Sequence, residues 1–152
     1  MLEEIEEAST LLEKAENESD IMEKGFLIEE AMDILDKCSD DDKLGAMARN
    51  IKEKHIKIFL DQIVELPIRD GDDVMDVVEI VESMGKEIFD IVENDMETYR
   101  AAAEKLANIF LNYNKIIKDL EEWQRNSRLR VEKWRKDFEK KKHNIFNDDP
   151  IV

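Results

Sequence analysis

Between Tyr99 and Phe138 the chain holds a seven-residue rhythm through twelve consecutive positions. Tyr99, Ala103, Leu106, Phe110, Tyr113, Ile117, Leu120, Gln124, Ser127, Val131, Trp134 and Phe138 follow one another in steps of four and three. An α-helix turns once in ~3.6 residues, so these steps bring all twelve side chains onto one stripe, the a/d seam of helix bundles and coiled coils. A strand has period two and cannot present such a stripe. The rhythm predicts one long C-terminal helix over residues 95–142 and an all-α chain.

The seam has two halves. Up to Trp123 a second stripe of Ala102, Ile109, Ile116 and Trp123 widens the apolar face, as in a helix packed inside a bundle. Beyond Trp123 the seam narrows and begins with two polar members, Gln124 and Ser127. The charge changes at the same place. Residues 1–124 hold 14 Lys and Arg against 34 Asp and Glu, a net of −20. Residues 125–142 hold nine Lys and Arg against three acids, a net of +6. The domain organisation expected is an acidic bundle over 1–124, a basic, aromatic-containing extension over 125–143 and a short tail over 144–152.

The rest of the sequence agrees with a helical fold. Four glycines and two prolines among 152 residues leave few breakers, and Glu, Lys, Leu, Ile and Ala are abundant. Residues 5–15, IEEASTLLEKA, are echoed 23 positions later by residues 28–38, IEEAMDILDKC. Ile5, Ala8, Leu12 and Ala15 step by three, four and three, as do Ile28, Ala31, Leu35 and Cys38. Each copy is one face of a helix, and the two are predicted to share a core. The stretch GFLIEEAMDILDKCSDDD resembles the second helix of a tetratricopeptide repeat. It is also similar to the middle helix of a microtubule-interacting-and-transport domain. Both resemblances cover about one helix and imply no function.

Boundaries follow from capping chemistry. Helices are expected over 2–16 and 20–38, with Asp20 and Glu23 at capping-box spacing and Gly25 as a competing break. A third is expected over 41–66, with Leu44, Met47, Ile51, His55, Phe59, Ile63 and Leu66 as its stripe and Pro67 as its stop. A fourth is expected over 72–93 with Asp72 as cap. Its wide apolar face predicts the most buried helix. A break near Asn94, capped through Glu97, precedes the last helix. The total is about five helices, antiparallel where connections are short.

The residues that could carry chemistry have plainer readings. His55 continues an apolar stripe, and no second histidine or Glu-x-x-His partner accompanies it on that face. The clusters Asp40–Asp42 and Asp70–Asp73 lack the order of a calcium loop and suit helix capping. Cys38 stands where Ala15 stands in the first copy, so it reads as a small buried residue. The glycines are isolated, and neither a phosphate loop nor a nucleophile elbow is present. No catalytic, cofactor or metal residues are assigned, and a non-enzyme is expected. The N-terminus is acidic without an apolar signal core, and no run spans a bilayer, so the expected location is cytoplasmic.

The segment WQRNSRLRVEKWRKDFEKKKH is the exception. Trp123, Arg128, Val131, Trp134, Arg135 and Phe138 are the expected partner-binding residues. At 1.5 Å per residue the last helix would be about 72 Å long and the third about 39 Å, so roughly 30 Å should overhang. The function expected is that of an adaptor, assembly or regulatory subunit, binding another protein or forming a homo-oligomer. Two basic tails side by side would repel, so docking on the acidic body of another chain is favoured over tail pairing. A nucleic-acid-associated regulator is the alternative, opposed by the field of the acidic body. A small helical enzyme with dispersed residues is the second alternative.

Overall fold

A computed structural model describes residues 2–147, with side chains to residue 142. It is all-α, with six helices: α1 (Leu2–Glu16), α2 (Ile21–Cys38), α3 (Gly45–Ile63), α4 (Gly71–Met84), α5 (Glu87–Asn94) and α6 (Met96–Asn147). Residues 148–152 of the expected tail lie outside the described residues. The chain forms two compact units, residues 1–113 and residues 114–152.

In the first unit α2 is the hub, packing on α1, α3 and α4. The echoed stripes meet as expected: Ile5, Ala8, Leu12 and Ala15 are buried, and so are Ile28, Ala31, Leu35 and Cys38. Asp20 caps α2, its carboxylate accepting from the Glu23 backbone N–H at 3.3 Å. Gly25 does not break the helix. It is buried within α2, facing α4, where an added Cβ would stand 3.4 Å from Ile80 Cγ1, an ordinary van der Waals contact.

The third helix starts later than its periodicity predicted. Asp41 accepts from the backbone N–H groups of Lys43 and Leu44, both at 2.8 Å, and holds a turn ahead of α3. Its buried face is also rotated. Ala48, Lys52, His55, Ile56, Phe59, Leu60 and Ile63 are buried, whereas Met47 is exposed. The rotation follows from Lys52, whose stem lies in the core while its ammonium meets Asp36 at 2.8 Å and Glu87 at 3.3 Å. A lysine assigned to solvent on type alone turns the inferred stripe away from the true one.

The expected fourth helix is two helices. Gly85 sits at φ 73°, ψ −158°, a conformation open essentially to glycine, and it separates α4 from α5. The N-cap of α4 is Asp70 rather than Asp72: the Asp70 carboxylate accepts from the Asp73 N–H at 3.0 Å. Asp73 in turn accepts from the Arg69 backbone N–H at 2.8 Å and from Arg69 Nε at 3.2 Å, which holds its carboxyl below the usual range. The wide face of α4 is buried as expected, through Val74, Val77, Val78, Ile80, Val81 and Met84. The break before α6 also stands, although the cap is Asp95, which accepts from the Thr98 N–H at 3.3 Å.

Candidate interaction surface

The twelve-position seam lies along α6, where it meets two environments. In the first unit the seam is partly covered: Tyr99 and Leu106 are buried and Ala103, Phe110 and Tyr113 half-buried, while Ala102 and Ile109 of the second stripe are buried. The Phe89 and Phe110 rings lie 6.5 Å apart and tilted at 52°. Lys105 Nζ donates to the carbonyls of Val64 (3.1 Å) and Leu66, which end the chain segment after α3. Burial pushes that ammonium below the ordinary lysine value.

From Asn114 to Lys142 nothing is buried. Ile116, Ile117 and Ser127 are half-buried, and every other residue is exposed. Among these are Leu120, Trp123, Val131, Trp134 and Phe138, with Trp123 at 65% and Trp134 at 68% of full exposure. All five belong to the seam or to the stripe beside it, so they share one face of the helix. Trp134 and Phe138, one turn apart, are stacked with centroids 5.7 Å apart and planes 19° from parallel. Arg128 and Arg135 follow Ser127 and Trp134 and flank the same face. The expected partner-binding residues are thus brought together by the helix alone, as an apolar strip edged by guanidinium groups. Scattered apolar residues are normal on a protein surface, but an aligned strip with two tryptophans is the kind that marks an interaction site.

The other candidates are placed in the core of the first unit. His55 is buried, and its Nδ1 lies 2.5 Å from Glu16 Oε1. The approach does not have hydrogen-bond geometry, and neither atom has another partner. Close by, Lys24 Nζ donates to Ala15 O at 2.6 Å and to Gln62 Oε1 at 3.0 Å, while Gln62 Nε2 donates to Glu16 O at 3.1 Å. These groups close the C-terminal end of α1, where orphan carbonyls need donors. The cavity they line, with Leu12, Phe59 and Met84, is about 10 Å³, near the least that admits one water. Cys38 is buried, with Glu4 Oε2 3.9 Å from Sγ, and burial followed by that carboxylate pushes the thiol up, away from a reactive thiolate.

Among the described residues no group of three or more His, Cys, Asp or Glu could hold a metal ion. No described helix is long and apolar enough to cross a membrane. Comparison with protein-family models, curated proteins and solved structures finds no match for this chain.

Proposed function

We propose that this chain is a helical adaptor or assembly protein, and not an enzyme, whose seam over residues 116–138 is covered by a protein partner. One observation carries the reading: a strip of large apolar side chains, aligned on one helix face, stands exposed. Burying an exposed apolar side chain yields about 25 cal/mol per Å², and a tryptophan presents up to roughly 250 Å². The flanking arginines would then orient the partner through its acidic groups. The groups in the first unit that could do chemistry are engaged in closing α1 or in packing, which supports a scaffold role for that unit.

The chain has two tryptophans, Trp134 on the seam and Trp123 on the stripe beside it, so the chain's tryptophan fluorescence reads this surface alone. Collisional quenching by acrylamide is the test. The wild type, carrying 5-hydroxytryptophan in place of tryptophan so that it is excited apart from other proteins, should show shielded indoles when purified or mixed with extract of its own cells. The variant Val131→Glu/Phe138→Glu should show free ones and unchanged unfolding of the first unit. Full quenching of the wild type in every condition would overturn the proposal.

A second reading rests on the nine exposed Lys and Arg around the stacked Trp134 and Phe138, which could serve as a base-stacking platform. Against it stands the net −20 of residues 1–124. Binding of short single-stranded nucleic acids at about 150 mM salt would favour it over the protein partner.

A further inference from the structure

We infer that the seam over residues 116–138 binds a second copy of itself in antiparallel orientation, centred between Gln124 and Ser127. The inference rests on the interaction role proposed above and names the partner. Continuing the steps of three and four assigns Ile117, Gln124, Val131 and Phe138 to position a, and Leu120, Ser127 and Trp134 to position d. Positions e are Glu121, Arg128, Arg135 and Lys142; positions g are Ile116, Trp123, Arg130 and Asp137.

When two such helices pack antiparallel, each a residue layers against a d residue of the other copy. Residues at e then meet e, and g meet g. One register sets like against like. Gln124 faces the second copy's Ser127, so the two polar seam positions satisfy each other. Leu120 then faces Val131, and Ile117 faces Trp134. Sliding by one heptad either way places Gln124 or Ser127 against an apolar residue, which costs an unpaired polar group. By symmetry this makes two adjacent polar layers, and polar residues placed at the seam in this way fix register in helix pairs.

The flanks agree with the same register. Glu121 meets Arg128 of the second copy, twice by symmetry, and Trp123 meets Arg130, a cation–π pair, also twice. In a parallel pair with the seams in step, g contacts the e of the following heptad. Arg130 would then meet Arg135, and Trp134 would crowd its own equivalent. The whole-segment charge points the same way. Residues 114–124 carry Lys115 and Lys118 against Asp119, Glu121 and Glu122, a net of −1. Antiparallel packing sets this stretch beside the +6 stretch, whereas parallel packing sets +6 beside +6. The repulsion that favoured docking on an acidic body is thereby removed. Four tryptophans at roughly 150–250 Å² each, about two-thirds of it exposed, supply much of the ~1,200 Å² of a stable interface.

The test is orientation in the full chain. In a Cys38→Ala background, one spin label is placed at Asn126 or at Lys136, both on the outer face of the helix. Because Asn126 lies at the centre, its two labels should be about 20 Å apart. Those at Lys136 should be separated along the axis by about 30 Å at 1.5 Å per residue, and lie well beyond the Asn126 distance. Glu121→Arg and Arg128→Glu should each weaken self-association about tenfold, and the double exchange should restore it. Equal short distances at both sites, with no rescue, mean parallel pairing and overturn the inference while leaving the interaction role in place. Assembly with no Asn126 distance means docking elsewhere on the second copy and overturns it too. A monomer at tens of micromolar overturns self-pairing, and the quenching experiment in extract then decides the interaction role separately.

Discussion

Lys24→Met isolates the ammonium that closes α1. Lys24 is 4% exposed, so its stem is core and its charge is almost out of water. Two effects oppose each other on removal of the charge. Burial disfavours the ammonium and holds its pKa below the ordinary lysine value, against the pull of Glu16 and Glu18, so deleting it relieves a desolvation cost. Its partners, however, are the Ala15 carbonyl at 2.6 Å and Gln62 Oε1 at 3.0 Å. Each acceptor left without a donor costs roughly 1–3 kcal/mol. Gln62 is not free to turn away, because its Nε2 donates to Glu16 O. Loss of a cation at a helix C-terminus adds about 0.3–1 kcal/mol. The losses exceed the relief, and the net expected is about 2 kcal/mol of destabilisation. At roughly 2–4 °C per kcal/mol for a chain of this size, Tm should fall by about 4–8 °C. Lys24→Ala, which also loses the stem packing, should fall further. Thermal unfolding followed by far-ultraviolet circular dichroism measures both, and hydrogen exchange should show the last turn of α1 opening first. A Lys24→Met variant that melts at or above the wild type would refute the reasoning, for desolvation would then outweigh the hydrogen bonds.

Three further outcomes are expected. Gly85→Ala forces a Cβ into φ 73°, ψ −158°, at about 1–3 kcal/mol, and a melting temperature unchanged within a degree would show that this turn relaxes freely. Val81→Asp places an unpaired carboxylate at a position 1% exposed in α4, at several kcal/mol, and a variant melting close to the wild type would contradict the buried face assigned to that helix. Stability should peak on the acid side of neutral. Burial, then Glu79, raise the carboxyls of Glu29 and Asp76, so the folded chain binds those protons more tightly and gains stability as pH falls through their raised range toward the ordinary carboxylate values. Asp41 and Asp73 are lowered by backbone N–H donors, so their contribution is present above the ordinary Asp value of about 3.9 and is lost as pH falls through their depressed range. Thermal melts across pH check this: a monotonic loss from neutral downward would refute it, and Glu79→Gln should shrink the rise.

Helix identity was legible wherever apolar residues kept a 3.6-residue spacing, helped in α2 and α6 by a capping residue at the start. Hence α1, α2 and the long α6 follow their sequence patterns closely. The buried lysines of α2 and α3 share a cause, and in α3 it rotated the face read from the sequence. Lys24 follows Ile21 by three and precedes Ile28 by four, squarely on the apolar face of α2, and Lys52 stands four after Ala48 and four before Ile56 on α3. Both are buried because each ammonium finds oxygen partners on other segments. No local pattern reveals such partners, since Gln62 lies 38 residues from Lys24 and Asp36 lies 16 from Lys52. A lysine occupying a core position in the helical rhythm was the available signal. The two glycines differ in role: the helix expected over 20–38 runs on through Gly25, whereas the break at Gly85 was not anticipated. Gly25 lies inside a helix, whereas Gly85 serves a turn, and their sequence surroundings are alike: a polar or charged residue on one side and apolar residues within two positions.

The width of the apolar face carries the remaining information about the C-terminal helix. One rhythm runs through both units, so periodicity alone assigns the same role to Leu106 and to Val131. Width does not. In the first unit Ala102 and Ile109 extend the seam to a third column, and a face of three columns needs more than one neighbour, which the bundle provides. After Trp123 the third column is taken over by Arg130 and Asp137, and the opposite flank by Arg128 and Arg135. Apart from Leu129 on the outer face, only the two seam columns stay apolar, a width that a single helix can cover. The charged flanks would be desolvated by a second neighbour and are tolerated beside one. A seam of that width, with two polar positions at its middle and opposite charges on either side of them, is matched by its own reversed copy. That match makes a second chain, rather than a broad apolar groove, the partner whose geometry this helix specifies.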